Sequence, residues 1–180
     1  MLGVGNRFPS FSLQATVSTE PGKAFRTITE EDYKEKWKVY FFWPKDFTFV
    51  CPTELVAFAR LNHEFRDRET QILGCSTDSE FAHLAWRQQN PELQDLPFPM
   101  LADVKHELCA ALRVLDPQEG VAQRATYLVD PRSMIRFACA YDVMVGRNPA
   151  EVLRVLDALQ TEGLCPANWR KGEPVLVPRV

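Results

Sequence analysis

The sequence predicts an α/β sandwich, in which helices cover a central sheet. Residues 37–43 and 70–77 are short apolar runs rich in aromatic and β-branched side chains, which favours buried strands. Segments with a helical spacing of apolar residues alternate with these strands, and a hairpin and one more helix close the chain. The length of 180 residues suits one domain with a sizeable core.

The first part of the chain holds the lead-in and the first helix. Residues 1–35 contain Pro9 and Pro21, and they are expected to form an irregular or hairpin segment ahead of the first buried strand. A helical pattern follows residue 51, and its apolar residues recur at a helical spacing. These residues are Leu55, Phe58, Leu61 and Phe65.

Two more helices are predicted between the second strand and the hairpin. Ser79 is placed to cap a helix that runs to about Gln89, where Asn90 and Pro91 end it. Asp103 is placed to cap another helix. Its inward-facing side chains are predicted to be Val104, Leu108, Ala111 and Leu112.

The last third is expected to be a hairpin, a helix and a tail. Residues 125–129 predict a strand and residues 134–141 its partner. Segment 148–162 begins with an Asn cap, a first-turn Pro and an acidic third residue, which predicts a helix that stops at Gly163. Residues 164–180 hold three prolines and are expected to be extended and mobile.

The charge and the cysteine pattern exclude several classes of protein. A net charge of −3 provides no basic field for nucleic acid, and no apolar run is long enough to span a membrane. The N-terminus lacks the pattern of a signal peptide, so a cytoplasmic protein is expected. Five widely spaced cysteines, without a C-x-x-C pair or a cluster of Cys and His residues, argue against a disulfide scaffold and against a metal site.

Cys51 is the candidate nucleophile. It follows a strand and a short loop and stands near the first turn of a helix, where backbone N–H groups and the helix dipole favour the reactive thiolate. The alternative is a buried structural cysteine, which is common. Glu54 occupies the place where a thioredoxin-type motif carries its second cysteine, which argues against a simple dithiol oxidoreductase.

The same segment carries a family resemblance. Pro44, Thr48 and Cys51 match the P-x-x-x-T-x-x-C signature of the peroxiredoxins, and residues 47–54 resemble the typical two-cysteine group that includes bacterial alkyl hydroperoxide reductases. The resemblance continues, in the expected order, through residues 78–83, 96–101, 124–130, 145–148 and 164–169. It therefore spans essentially the whole chain.

The resemblance implies a fold and an activity. The fold would be thioredoxin-like, with a central mixed sheet and flanking helices, divided into a peroxidase domain (residues 1–163) and a tail (residues 164–180) that carries a resolving cysteine. The activity would be that of a thiol peroxidase that reduces hydrogen peroxide and alkyl hydroperoxides in antioxidant defence and redox homeostasis. No cofactor or metal is implied.

Four further residues match family positions around Cys51. Thr48 would donate to the thiolate and accept from the peroxide, and Pro44 would cover the thiolate. Arg124 would stabilise the thiolate and bind the peroxide oxygen, whereas the alternative is a surface arginine at a strand end. Arg147 would be a supporting residue, with a surface arginine beside a helix as a serious rival interpretation.

Cys165 resembles the resolving cysteine of this family, which attacks the sulfenic acid of the first cysteine. In typical relatives that thiol comes from the partner subunit, but the sequence does not distinguish a disulfide within one chain from one between chains. A homodimer, or a ring of five dimers, is implied by the family. Cys75, Cys109 and Cys139 lie in apolar segments and are expected to be core thiols.

Electrons must come from another protein: thioredoxin, a flavoprotein reductase or a small dithiol adaptor. Two other roles use the same resemblance. A purely structural or chaperone-like role would not need Thr48, Arg124 and Cys165 together. A redox sensor would use the same residues as a scavenger, so only kinetics with a client separate the two.

The chain departs from relatives that are prone to overoxidation. Those relatives carry a G-G-L-G segment and a C-terminal Y-F pair, whereas this chain has Arg-Gln-Gln-Asn-Pro-Glu-Leu-Gln-Asp at residues 87–95 and ends in Val-Leu-Val-Pro-Arg-Val. Fast local unfolding around Cys51 and robust turnover at high peroxide are therefore predicted.

Overall fold

A seven-stranded mixed sheet forms the centre of the molecule. The structure, a computed structural model, describes residues 1–178; Arg179 and Val180, the end of the predicted tail, lie outside the described residues. The strands are β1 (Ser12–Thr16), β2 (Phe25–Thr29), β3 (Trp37–Phe42), β4 (Thr70–Ser76), β5 (Met100–Ala102), β6 (Leu115–Asp116), β7 (Val121–Ala122), β8 (Arg124–Val129) and β9 (Ile135–Tyr141). The sheet order is β2-β1-β5-β4-β3-β8-β9, and β6 and β7 form a separate ribbon.

Helices lie on both faces of this sheet. They are α1 (Val50–Arg60), α2 (Asn62–Arg66), α3 (Glu80–Gln89), α4 (Glu107–Ala111) and α5 (Pro149–Gln160), with a 3-10 turn at Glu30–Tyr33. The apolar faces of α1, α2 and α5 pack into one core together with Trp86 of α3. The other core contains α4 and the N-terminal segment. The predicted α/β sandwich is therefore confirmed.

The position of β3 in the middle of the sheet explains why its sequence is almost continuously apolar. Tyr40 and Phe42 face one core, whereas Val39, Phe41 and Trp43 face the other. A strand that is covered on both faces buries both sets of alternating side chains. β3 pairs in parallel with β4 and antiparallel with β8, which places it in the middle of the sheet.

The strand register brings distant parts of the chain together at the C-terminal end of β3. Because β3 and β8 are antiparallel, with Phe41 opposite Thr126, the start of β8 lies beside the end of β3. Arg124 is the first residue of β8. The loop of residues 44–50 follows this end of β3 and leads into α1. We call residues 44–50 the active-site loop.

Helix caps agree with the sequence in two of three cases. Ser79 Oγ accepts from the backbone N of Ala82 at 3.2 Å, and Asn148 Oδ1 accepts from the backbone N of Ala150 at 3.0 Å. Both α3 and α5 therefore begin where predicted.

The prediction for the helix after Asp103 was wrong in part. The chain passes through His106 at φ +60° before α4 starts, so Val104 and Ala111 are exposed while Leu108 and Leu112 are buried. A left-handed residue breaks the helical period, which is why the spacing counted from Val104 failed. The Asp103 carboxylate still accepts from the backbone N of Leu108 and of Cys109, at 3.2 and 2.7 Å.

Other differences concern short elements. The lead-in is a hairpin of β1 and β2, one of the two expected forms. β5 and the β6–β7 ribbon were not predicted, because two or three residues are too few for a periodic pattern. The run from Leu55 to Phe65 is divided at Leu61, where α1 ends and α2 begins.

The segment after α5 is less extended than expected. The backbone N of Leu176 donates to the carbonyl of Leu164 at 2.8 Å, so this segment turns back on itself. Trp169 is buried, and its carbonyl accepts from Arg154 Nη1 at 2.9 Å. The division of the chain at residue 163 and the mobility of the tail stay predictions. Among residues 1–178, no helix has the length and apolar character that crossing a membrane requires.

Candidate active site

Cys51 lies in the first turn of α1. The loop of residues 44–50 brings the sulfur to the end of the sheet where β3 stops and β8 begins, and Cys51 is 2% exposed. The free backbone N–H groups of this turn and the positive end of the helix dipole lie close to the sulfur. Cys51 therefore lies at the strand-to-helix junction that the sequence predicts.

Arg124 lies directly beside the sulfur. Its Nη1 donates to Cys51 Sγ at 3.6 Å and to Glu54 Oε2 at 2.5 Å, and its Nη2 donates to the carbonyl of Val143 at 2.7 Å. Burial lowers the pKa of Arg124, but the Cys51 hydrogen bond and the Glu54 charge together raise it, and the net shift is upward. Arg124 therefore stays cationic, and the surface-arginine alternative is wrong because the residue is buried.

Glu54 joins two arginines and was not singled out as a bridging residue from the sequence. Its Oε1 accepts from the backbone N and from Nε of Arg147, at 2.9 and 2.8 Å, and its Oε2 accepts from Nη2 of Arg147 at 3.0 Å. Glu54 stands three residues after Cys51, one helical turn away, which is the spacing that places two side chains on one face. This spacing was the signal available in the sequence.

Arg147 is buried, so the rival interpretation of a surface arginine is wrong. Its Nη1 donates to the carbonyl of Ala125 at 2.8 Å and to Thr126 Oγ1 at 3.0 Å, and its Nη2 also bonds the carbonyl of Phe42. These bonds tie β3, β8 and α1 together through Glu54. Glu54 neutralises one of the two arginine charges, which leaves one positive charge beside Cys51.

Pro44 and Thr48 lie on the active-site loop and line the same cleft as Cys51. Pro44 is buried, which suits a residue that limits water near the sulfur. Thr48 Oγ1 donates to the carbonyl of Lys45 at 2.9 Å. The hydroxyl hydrogen is thus used within the loop rather than on the thiolate as expected, and Thr48 offers its lone pairs as acceptors.

The cleft around Cys51 measures about 770 Å³. Its wall includes Phe49, Val121, Val143 and Met144, which are apolar. Lys45 and Glu119 form an ion pair of 3.0 Å at its rim. The cleft has room for a small molecule with an apolar substituent beside the sulfur.

Cys165 lies away from this cleft. Its Sγ is 3.3 Å from Thr161 Oγ1 and 3.7 Å from the carbonyl of Ala158, near the C-terminal end of α5. It is partly exposed, and its thiol is free, as is that of Cys51. The structure therefore does not bring the two predicted redox cysteines of one chain together.

The remaining thiols differ in burial. Cys75 and Cys109 are fully buried, as expected of core thiols. Burial raises the pKa of Cys75, and a hydrogen bond with Cys75 followed by burial raises the pKa of Cys109. Cys139 is only partly buried because it lies on the edge strand β9, so the core prediction was wrong for it. Within the described residues, no group of three or more His, Cys, Asp or Glu side chains could hold a metal.

Comparison with known proteins identifies the family of this chain. Residues 4–138 match the model of the AhpC/TSA family, and residues 158–179 match the C-terminal domain of 1-Cys peroxiredoxin. The first match covers well over half of the chain. The chain therefore belongs to the AhpC/TSA peroxiredoxin family, and the prediction of a peroxiredoxin is confirmed.

Individual relatives are similar along almost the whole length. Alkyl hydroperoxide reductase C of Mycobacterium tuberculosis is 54% identical over 98% of this chain and 94% of the relative. Putative peroxiredoxin YkuU of Bacillus subtilis is 42% identical over 96% of this chain and 97% of the relative.

Solved structures of the family share the fold. Mycobacterium bovis AhpC superposes with a TM-score of 0.87 at 53% identity, covering 94% of this chain and 99% of that one. A reduced 2-Cys peroxiredoxin of Plasmodium vivax superposes with a TM-score of 0.90 at 30% identity, covering 97% and 93%. The predictions of a thioredoxin-like fold and of a thiol peroxidase are confirmed at this level.

Proposed function

We propose that this chain reduces hydrogen peroxide and organic hydroperoxides, with Cys51 as the nucleophile and Cys165 as the resolving thiol. The observation that carries the proposal is the place of the Cys51 sulfur, in the first turn of α1, beside a cleft and 3.6 Å from Nη1 of Arg124. A thiolate beside a fixed cation and an open cleft is the arrangement that peroxide reduction needs.

The first step transfers one oxygen atom to sulfur. The Cys51 thiolate attacks the terminal oxygen of the hydroperoxide, and the S–O bond forms as the O–O bond breaks. The other oxygen leaves as hydroxide or alkoxide and takes a proton from solvent. Arg124 stabilises the growing charge on that oxygen, Thr48 accepts from the peroxide O–H, and Pro44 limits water.

The second step forms a disulfide. The Cys165 thiolate attacks the sulfur of the Cys51 sulfenic acid, the S–S bond forms, and hydroxide leaves and is protonated to water. The two electrons that restore both thiols then come from a dithiol protein. Arg147 takes no part in either step except through Glu54, which orients Arg124.

The position of Cys165 supports resolution between two subunits. Arg147 of the Cys51 network stands just before α5, whereas Cys165 lies near the other end of this 12-residue helix. A helix of that length spans about 18 Å, so a disulfide within one chain would need a large movement. A homodimer that exchanges Cys165 is the simpler arrangement, and assembly of five dimers into a ring stays a prediction.

The electron donor and the compartment are further parts of the proposal. Thioredoxin, the flavoprotein subunit of an alkyl hydroperoxide reductase, and a small dithiol adaptor all remain candidate donors. A reducing cytoplasm suits a cycle in which the disulfide is transient and the thiols are the resting form.

A gel experiment tests the cycle. The reduced protein receives one equivalent of hydrogen peroxide and is analysed without reductant beside Cys51→Ser and Cys165→Ser, with Cys139→Ser as the matched control. A covalent dimer that both variants lose and the control keeps is expected. A disulfide without a dimer would place resolution within one chain, and an unreactive wild type would overturn the proposal.

A second variant tests the role of Arg124. Arg124→Lys keeps the charge but cannot bond the sulfur, Glu54 and the Val143 carbonyl together. The rate constant for peroxide reduction should fall by about 100-fold, as when a preorganised donor is removed. Arg136→Lys, an exposed arginine paired with Asp130, is the control and should react like the wild type.

A further inference from the structure

A second buried polar cluster lies behind the active-site loop. Trp43 Nε1 donates to Asp46 Oδ1 at 2.7 Å, and Asp46 Oδ2 lies 2.6 Å from His83 Nδ1. His83 Nε2 lies 3.1 Å from the carbonyl of Leu101. Trp43 and His83 are fully buried and Asp46 is 7% exposed, and none of them enters the reaction steps proposed above.

The Leu101 carbonyl fixes the place of one ring hydrogen of His83. Because the Leu101 carbonyl only accepts, Nε2 must carry a hydrogen. A second hydrogen must then lie between Nδ1 and Asp46 Oδ2, either on the imidazole as an ion pair or on the carboxyl as a neutral pair. Burial raises the pKa of Asp46, with the His83 hydrogen bond acting in the opposite direction, which is consistent with a proton shared by the two residues.

The cluster holds the active-site loop at its midpoint. Asp46 is joined by its side chain to α3 through His83, and its backbone N donates to Asp78 Oδ2 at 3.0 Å. The next residue, Phe47, has φ +56°, a conformation that is unfavourable for a bulky side chain and needs outside support. The loop therefore depends on its anchor at Asp46.

We propose that Asp46 and His83 are positioning residues of the peroxidase site. Their buried hydrogen bond fixes the active-site loop, and thereby the places of Pro44 and Thr48 relative to the Cys51 sulfur. This inference rests on the proposed function of Cys51 as the peroxide nucleophile. The alternative is a buried pair that contributes to stability alone and leaves the reaction unchanged.

Asparagine and alanine at position 46 separate the two roles. In Asp46→Asn, Oδ1 still accepts from Trp43 and the amide N–H donates to the unprotonated Nδ1 of His83, so every bond of the cluster is kept without the shared proton. Asp46→Ala and His83→Ala each remove the bond. The double variant combines Asp46→Ala with His83→Ala. It removes both partners at once, so neither the carboxylate nor the imidazole is left buried without the other.

The test measures the rate constant between reduced enzyme and hydrogen peroxide by stopped flow. Both alanine variants should react at least about tenfold more slowly, since misplacement by about 1 Å can cost about 100-fold. The double variant should be no slower than either single one, because the two residues act as a unit. Asp46→Asn should recover most of the wild-type rate.

The control is Asp130→Ala, which removes another buried carboxylate, at the far end of β8 from Arg124. It should lower the melting temperature without slowing the reaction. Alanine variants that fold and react within about twofold of wild type would overturn the inference, as would Asp46→Asn reacting as slowly as Asp46→Ala.

Failure of the variants to fold leaves a direct measurement on the wild type. The ¹⁵N resonances of the His83 ring should report a protonated Nε2 and a hydrogen-bonded Nδ1 in the reduced enzyme. An Nδ1 that makes no hydrogen bond would mean that the bond between Asp46 and His83 is absent, and this result would overturn the inference. An unreactive wild type would instead refute the proposed function of Cys51, so the two failures are distinguishable.

Discussion

The carboxylate of Glu54 lies 2.5 Å from Nη1 of Arg124, and both side chains are buried. The same nitrogen donates to the Cys51 sulfur. Glu54 thus orients the cation that stands beside the Cys51 sulfur, and its other oxygen is held by Arg147. The site is built as a row of alternating charges, in which each group is fixed by the next.

Replacing Glu54 tests this arrangement. Glu54→Gln keeps the shape but removes the negative charge between two buried guanidinium groups, so the free energy of unfolding should fall by about 3–5 kcal/mol. Urea denaturation of the reduced protein measures that change. The peroxide rate constant should fall as well, by about tenfold or more, because Arg124 is no longer held against Cys51.

Glu151→Gln provides the matched control for the Glu54 variant. Glu151 pairs with Arg154 on the surface of α5, with 45% of its side chain exposed. Loss of an exposed pair should change stability by about 0–1 kcal/mol and leave the peroxide rate unchanged. Equal effects of the two variants would contradict the role assigned to Glu54.

The sequence predicted the elements whose signals are local. Cys51 at a strand-to-helix junction, the Ser79 and Asn148 caps and the alternating strands all follow from neighbouring residues. Only the family resemblance placed Arg124 beside Cys51 in advance, because local patterns do not reveal the antiparallel register of β3 and β8 that brings the two residues together. The burial of Arg147 could not be predicted, since its acceptors are distributed over β3, α1 and β8.

Gly74 of β4 provides a test of the packing behind the loop. A Cβ at this position would lie 2.7 Å from Cζ3 of Trp43 and 3.0 Å from Phe41, two rigid buried rings. Gly74→Ala should therefore destabilise the protein by about 1–3 kcal/mol through overpacking. Gly3→Ala is the control, because a Cβ there meets no atom within 4 Å.

Thermal unfolding of the two glycine variants measures the difference. The intrinsic fluorescence of Gly74→Ala should also change, since the Trp43 indole must shift from its bond with Asp46. A Gly74→Ala melting temperature equal to that of Gly3→Ala would mean that the rings move aside at no cost, and the packing argument would be wrong.

The five thiols should differ in their reaction with an alkylating agent. Burial raises the pKa of Cys75, and the pKa of Cys109 is raised by the hydrogen bond that Cys109 makes with Cys75. Both thiols are therefore almost entirely protonated at neutral pH, and their burial keeps them out of reach of the reagent. Cys51 lines the open cleft and Cys165 is partly exposed, so these two should be labelled first. Cys139 should be labelled more slowly because burial raises its pKa too.

Mass spectrometry of the reduced protein after timed labelling at neutral pH gives the order. The same labelling in denaturant is the control and should modify all five cysteines at similar rates. Labelling of Cys75 or Cys109 in the folded protein as fast as Cys51 would show that the core opens on that time scale, contrary to its full burial.

Resistance to overoxidation is the prediction that connects the site to the rest of the chain. The first turn of α1 must unwind before the Cys51 sulfenic acid can meet Cys165, because Cys51 is 2% exposed. Within residues 1–178, no helix follows α5, and residues 87–95 replace the G-G-L-G segment of sensitive relatives. No C-terminal helix among these residues therefore covers α1 and delays its unwinding, and the disulfide should form before a second peroxide reacts.

Turnover with a dithiol donor should continue at high peroxide, and mass spectrometry should find little sulfinic acid on Cys51. Cys165→Ser is the internal comparison, because it cannot form the disulfide and should accumulate sulfinic and sulfonic acid. Loss of wild-type activity at a few equivalents of peroxide, with sulfinic acid on Cys51, would mean that the local unfolding of α1 is slow, and the prediction would be wrong.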